Sequence, residues 1–281
     1  IYTHPLIRRD RRALEVLENF EQEYGTELVQ RRKKIEEQLA KLKSRKSELE
    51  KQIADLKKKK EDATLYENEL EVTKGRIEMA EAELKKLAQT LAEIQAIKFG
   101  SFKLTSGKLS PYYIDLRLVP SHPQAFRLCV EAYQRLVRQI GLETFDLMVG
   151  VPTAGVVFAS VLAYQTGKPL AYVRKEAKDW GLRKAVEGRL EGGERILLVD
   201  DLVTTGKSIL ETAEVLREAG GKPTHAVVLI DREEGGAGRV EAAGISLHAY
   251  VKVSGLLEVL KAEGLLDEAK FREIMGYLKK G

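Results

Sequence analysis

Ten apolar residues recur at an unbroken spacing of seven: Leu28, Ile35, Leu42, Leu49, Leu56, Ala63, Leu70, Ile77, Leu84 and Leu91. That period keeps one helix face apolar along its whole length, and such a face must be covered by another helix. No Gly or Pro falls within residues 26–74, so nothing breaks the helix there. The second seam position changes side. Before residue 57 it lies four residues after the first, at Leu39 and Ile53 with Lys46 between. After residue 62 it lies three on, at Tyr66, Thr73, Ala80, Leu87 and Ile94. Reversing chain direction converts one flank into the other, so the halves mirror each other about Lys59–Lys60. Charge follows the same division: residues 31–60 carry a net +8 and residues 61–95 a net −5. Complementary flanks favour an antiparallel helical hairpin with its tip in Lys57-Lys58-Lys59-Lys60-Glu61-Asp62. Each arm would be about 45 Å long at 1.5 Å per residue. The other arrangement is one straight helix pairing with a second chain, and the lack of Gly or Pro at the tip speaks for it. The lysine run reads as a solvated helix tip rather than a nucleic-acid patch.

The rhythm changes near residue 95, after which Gly and Pro recur among strand-like and helix-like stretches. Residues 1–27 read as a short helical segment, amphipathic over 8–24 (Leu14, Leu17, Phe20) and stopped at Gly25. Residues 28–95 read as the coiled coil. Residues 96–281 read as a domain large enough to bury its own core. No apolar run reaches the ~18 residues of a membrane span. Four Arg in the first twelve residues, with no apolar stretch behind them, give no secretory leader. A single cysteine, Cys129, excludes intrachain disulfides and suits a reducing, cytoplasmic compartment. The net charge of +4 gives no ground for a nucleic-acid partner.

Strand-like runs fall at 147–151, 170–173, 196–200, 226–231 and 246–250. Helical patterns fall at 122–139, 155–165, 207–219, 236–243, 255–262 and 267–279. Near-continuous apolar strands alternating with helices predict an α/β fold whose parallel sheet is covered on both faces. Ligands in such sheets sit beyond the strand carboxyl ends.

The most informative segment runs Arg195-Ile-Leu-Leu-Val-Asp200-Asp201-Leu202-Val203-Thr204-Thr205-Gly206-Lys207-Ser208. An apolar strand ends in two carboxylates, and a Thr/Gly turn then opens a helix. Turn N–H groups, hydroxyls and a helix N-terminus form a phosphate cradle. Two acids before it repel phosphate but suit ribose hydroxyls or hydrated Mg²⁺. Together they fit a phosphorylated ribose. Gly206-Lys207-Ser208 mimics the end of a Walker A loop, but that loop needs Gly at 201, which is Asp.

This segment resembles the phosphoribosyl-diphosphate (PRPP) motif of type I phosphoribosyltransferases. Phe99-Gly-Ser-Phe-Lys-Leu-Thr-Ser-Gly-Lys-Leu-Ser-Pro-Tyr-Tyr-Ile-Asp115 looks like the first signature of orotate phosphoribosyltransferases. Arg174-Lys175-Glu-Ala-Lys178-Asp-Trp180-Gly181 resembles their mobile catalytic loop, and Asp231-Arg232-Glu-Glu-Gly235 their orotate-binding strand end. The resemblance spans residues 97–281 and leaves the coiled coil outside. It implies transfer of ribose 5-phosphate from PRPP to orotate in UMP biosynthesis, with Mg²⁺ arriving on PRPP and no separate metal-ligand set. The implied catalytic residues are Lys178, Asp200 and Asp201. Arg174, Lys175, Lys178 and the run from Asp200 to Ser208 would bind PRPP. Arg232 would grip the orotate carboxylate, Thr204 would face the base, and Tyr112 and Tyr113 would line its site. A lid within Lys175–Gly193 would close over the neighbouring subunit's site, implying a homodimer; the coiled coil's partner is not legible.

Three positions depart from the family pattern: Trp180 where His is common, Thr105 and Ala154 where Lys is common. They keep a second reading open, a PRPP-binding sensor or coiled-coil scaffold. Arg174, Lys175 and Lys178 could equally be a solvated loop, and Arg232 could merely pair with Asp231 or Glu233. A purine-specific transferase fits less well, since a purine offers Arg232 no carboxylate. His4, His122, His225 and His248 show no metal-ligand spacing, and Cys129 reads as core.

Overall fold

In the computed structural model the described residues are 44–51, 53, 64–103, 109–174 and 185–278. The tip of the expected hairpin and the segment 1–27 lie outside them. Helix α1 (Thr64–Glu93) leads into an antiparallel ribbon of β1 (Ile97–Lys103) and β2 (Leu109–Ile114). A 3₁₀ turn (Leu116–Ser121) follows, then α2 (Pro123–Ile140), β3 (Leu147–Gly150), α3 (Ala154–Thr166), β4 (Leu170–Val173), β5 (Val186–Glu187), β6 (Arg195–Val199) and β7 (Leu202–Val203). The chain continues through α4 (Lys207–Glu218), β8 (Lys222–Asp231), α5 (Gly236–Ala242), β9 (Ser246–Lys252), α6 (Val253–Ala262) and α7 (Glu268–Leu278).

Seven strands form one sheet, in the order β5-β4-β3-β6-β8-β9, with β7 on the edge of β8 that β6 also uses. Every pairing is parallel except β4–β5. Period-two alternation sends successive residues to opposite faces. Met148, Leu197, Val199, Val227 and Leu229 pack on one side with α2, α3, α6 and α7. Leu147, Val149, Ile196, Leu198 and Val228 pack on the other with α4 and α5. Both faces are therefore covered, as near-continuous apolar strands require. The strands and helices expected downstream of residue 120 are all present; the largest difference is β8, which begins at Lys222 and takes Pro223 at its start.

The core also takes in Leu87, Ala88 and Leu91 of α1, so it draws on residues before 96. Polar links reinforce this seat: Lys85 and Gln89 reach Glu263 at 2.8 and 2.9 Å, and Arg135 pairs with Glu83. Farther out, Leu49, Ile53 and Leu70 form a separate buried cluster with Tyr66 against it. The Arg45 guanidinium forks onto the Glu69 carboxylate at 2.9 and 3.1 Å. No helix among the described residues is long and apolar enough to cross a membrane.

Candidate active site

The β6–β8 register pairs Val199 with Val227, and β7 resumes at the same offset with Leu202 opposite Ile230. No residue is inserted, yet pairing lapses at Asp200 and Asp201. The Asp200 N–H still donates to Val227 O at 3.0 Å. In a regular parallel ladder the next bond would run from Leu229 N–H to Asp200 O. That N–H goes instead to Asp201 O at 3.0 Å. The Asp200 carbonyl turns away and accepts the Tyr133 hydroxyl at 2.6 Å.

Consecutive strand residues normally face opposite ways. Here Asp200 feels its neighbour's charge: burial first, then the Asp201 carboxylate, pushes it well above the usual carboxylate range. Burial also raises Asp201, with the Leu202 N–H bond to its carboxylate, more than the charge of Arg117, drawing it back down. Asp200 Oδ1 accepts the Asp201 N–H and Asp201 Oδ1 the Leu202 N–H, both at 2.9 Å. A buried and a half-buried acid, with no ion pair to either among the described residues, are costly. That cost makes the pair a fit for Mg²⁺ or for ribose hydroxyls. No group of three metal-ligating acids, His or Cys forms among the described residues. Mg²⁺ held here would therefore need substrate oxygens and water to complete its shell.

The Thr/Gly turn that opens α4 follows. Thr204 is half-buried, Thr205 is exposed, and Gly206 caps α4 at φ +77°. Gly236 N–H donates to Thr204 O at 3.0 Å, and a Cβ on Gly236 would lie 2.6 Å from that oxygen. The loop thus rests directly on the backbone of the α5 turn. Not every expected side chain faces a ligand. Val203 is buried in the core beneath α4, and Leu202 packs against the opposite core. Alternation along β7 dictates this, leaving the pair only backbone groups to offer. Lys207 is exposed and reaches Glu211 at 3.5 Å on the outer face of α4. Ser208 is exposed in the first turn.

Arg232 follows the last residue of β8 and is only 5% exposed. Its N–H donates to Val203 O at 2.9 Å, tying it to the segment that carries the acid pair. Nε donates to the Tyr112 hydroxyl at 3.3 Å, and the guanidinium lies 4.8 Å from the Tyr112 ring centroid. Nη2 is within 2.9 Å of Glu234, but is buried without an aligned hydrogen bond. Glu234 is therefore an acidic neighbour of Arg232, while Asp231 Oδ1 accepts the Glu233 N–H at 2.8 Å. Glu233 Oε2 accepts the Ser254 N–H at the start of α6, at 2.9 Å. Tyr113 does not join Tyr112. Neighbouring strand residues face apart, and its hydroxyl accepts Arg117 Nη2 at 3.1 Å on the side of the acidic pair.

Between β3 and α3 the chain passes close to the acids. A Cβ on Gly155 would lie 2.1 Å from Val199 O and 2.9 Å from Asp200 Cα, so only Gly fits. Ala154 opens α3 and supplies no cation. Arg174 follows β4 and pairs with Glu187 of β5. Lys175, Lys178, Trp180 and Thr105 lie outside the described residues. Sequence reasoning missed Tyr133, Arg117 and Glu234. Tyr133 looks like one more apolar helix position, while Arg117 and Glu234 stood inside or beside quoted motifs.

A Thr/Gly turn opening a helix, an acid pair and a buried guanidinium gathered at one carboxyl edge of a parallel sheet make the arrangement of a phosphoribosyltransferase. The phosphoribosyl transferase domain family matches residues 119–242. An orotate phosphoribosyltransferase of Pyrobaculum islandicum is 39% identical over 193 residues, covering 68% of this chain and 97% of that protein. The chain belongs to the orotate phosphoribosyltransferase family. The crystal structure of orotate phosphoribosyltransferase from Aeropyrum pernix superposes with a TM-score of 0.54 at 34% identity, over 62% of this chain and 98% of that one. The structure of Leishmania donovani UMP synthase aligns with a TM-score of 0.65 at 30% identity. It covers 78% of this chain, more than residues 96–281 alone amount to, and 47% of that one.

Proposed function

We propose that the chain transfers the 5-phosphoribosyl group of PRPP to orotate, with donor and acceptor held on either side of the Val203–Arg232 link. The observation that carries this is that link: one 2.9 Å backbone bond joins the acid-and-cradle segment to a buried, incompletely bonded arginine. Asp200 and Asp201 hold the ribose hydroxyls and the Mg²⁺ that accompanies PRPP. Thr204, Thr205 and the α4 N-terminus take the 5-phosphate. Arg232 takes the orotate carboxylate, for which guanidinium geometry is suited. The bond from C1 to pyrophosphate oxygen breaks, its electron pair leaving with the pyrophosphate. N1 of orotate supplies the pair that forms the new C1–N1 bond as its N1–H bond breaks, the proton leaving with the departing pyrophosphate. Bound Mg²⁺ supplies charge neutralisation at the departing pyrophosphate. Arg174, Lys175 and Lys178 add positive charge there, and a lid that excludes water strengthens it. The product, a pyrimidine nucleotide, places the reaction in UMP synthesis.

A homodimer is part of this reading. Helix α3 begins beside the acid pair and contains no charged residue, yet Val157 and Tyr164 on it are 38% and 89% exposed. A charge-free face at that place fits a second copy of the chain. Tyr164→Lys should shift sedimentation from dimer to monomer. A cytoplasmic setting fits the single, buried Cys129, whose thiol burial pushes up to about 12.

The deciding assay follows orotate absorbance on adding PRPP and Mg²⁺, with hypoxanthine and adenine as controls. Turnover of orotate alone is expected. PRPP binding without turnover of any base would favour the sensor reading instead.

A further inference from the structure

We propose that Tyr133 is a positioning residue for the acid pair, its hydroxyl holding the rotated Asp200–Asp201 peptide in place. This rests on the reading of Asp200 and Asp201 as the ribose and Mg²⁺ site. The Cα offset on either side of the pair is the same, yet Leu202 packs on the core of Val199 and Val203 on that of Leu198, so alternation fails across the pair where a regular strand would keep it. Such a strand would give the Asp200 carbonyl a partner in Leu229 N–H and send the two side chains to opposite faces. The observed peptide does neither. Leu229 N–H is taken by Asp201 O, at 3.0 Å. A buried carbonyl stripped of its ladder partner needs another donor. The Tyr133 hydroxyl supplies it at 2.6 Å and also stands 3.5 Å from Asp201 O.

The donor is fixed as firmly as the carbonyl. Tyr133 is wholly buried in the middle of α2, and its ring packs on Phe158 at 5.0 Å between centroids. Phe158 belongs to α3, the helix whose Gly155 packs so close to Val199 O and Asp200 Cα that no Cβ fits. The rotated peptide is thus gripped by a hydroxyl from one helix and a glycine backbone from the next. Without the hydroxyl, the Asp200 carbonyl regains its partner by turning back toward Leu229. That turn would carry one carboxyl group away from the other. Ribose and Mg²⁺ would then meet a single acid, while the Arg232 N–H stays on Val203 O beyond the turned peptide.

The test compares the full-length chain with Tyr133→Phe, and with 4-aminophenylalanine at position 133 to restore a donor. PRPP affinity in Mg²⁺ is measured by calorimetry and orotate by KM. Tyr133→Phe should keep its fold by circular dichroism, weaken PRPP roughly tenfold and raise the Mg²⁺ needed for half-maximal rate. The orotate KM should stay within about twofold. The amino analogue should recover most of the PRPP affinity. Unchanged PRPP affinity overturns the proposal. So does a loss of fold, or an equal loss for both substrates, since either makes Tyr133 an ordinary core residue. Asp200→Asn with Asp201→Asn is run alongside. If that variant still binds PRPP, the underlying site reading fails; if it loses PRPP while Tyr133→Phe does not, only the Tyr133 inference fails.

Discussion

Arg232 keeps an acidic neighbour and an aromatic ring about a guanidinium that solvent barely reaches, and one of its nitrogens has no aligned acceptor. Arg232→Ala should raise the orotate KM by roughly 10- to 100-fold, the worth of a lost charge-assisted bond, and leave PRPP affinity unchanged. A fall in PRPP affinity alone, by calorimetry, would show that Arg232 serves the other substrate. A second residue-scale prediction concerns His225, whose Nδ1 lies 3.1 Å from His248 Nε2. Burial, then the charge of Arg195, holds the His225 pKa below its ordinary 6.5. The unfolded chain therefore binds more protons just below that pH. The stability that a neutral His225 contributes is present above pH 6.5 and is lost as pH falls. His225→Gln should flatten the decline in Tm between about pH 7 and 5, read by thermal melts. At this scale the sequence was legible where chemistry is dense: two acids at a strand end and a lone Arg after an apolar run. Tyr133 was not, because its partner lies 67 residues away and its own helix gives it no polar context.

Elements were legible wherever one period dominated. The apolar runs of β3, β4, β6, β8 and β9 and the patterns of α2 to α7 were visible because each faces the core continuously. Segment β7 was not, since two residues show no period and exist as a strand only through β8. That is also why Leu202 and Val203 were expected at the ligand when their side chains serve the core. The turn between β8 and α5 shows how elements position the cradle. Gly236 touches Thr204 O, Val203 Cγ2 and Gly206 N, where an added Cβ would stand 2.6–2.8 Å away. Two of those three are backbone atoms and cannot rotate aside. Gly236→Ala should therefore displace the loop and raise the PRPP KM at least tenfold, while orotate binding changes less. A kinetic profile equal to the unaltered chain would mean that the loop is free to move.

On the scale of the whole molecule, the composition change near residue 95 marks the end of a helix rather than the edge of the core. The leucine seam of α1 continues without a break from the outer cluster to the contacts with α2 and α6. One residue type serves both partners, so composition could not separate them. Burying a leucine is worth about 1.5–3 kcal/mol, and total domain stabilities run to about 5–15 kcal/mol. A chain beginning at residue 96 loses Leu87 and Leu91 and should melt well below one beginning at residue 80, which retains them. Both contain the acid pair, cradle and Arg232, so activity at low temperature should persist wherever the fold does. The outer arm requires a separate test. Leu49 and Leu70 share one buried cluster, and both pairs Leu49–Leu70 and Ile53–Tyr66 are equidistant from Lys59–Lys60. An intramolecular hairpin places those residues face to face along one chain. Cysteines introduced at 49 and 70 should then oxidise within a chain, since facing seam positions approach disulfide range. The product should run as a monomer on a denaturing gel, with Cys129 too buried to compete. A parallel two-chain coiled coil would set 49 against 49 of its partner, and the gel would show covalent dimers in place of monomers.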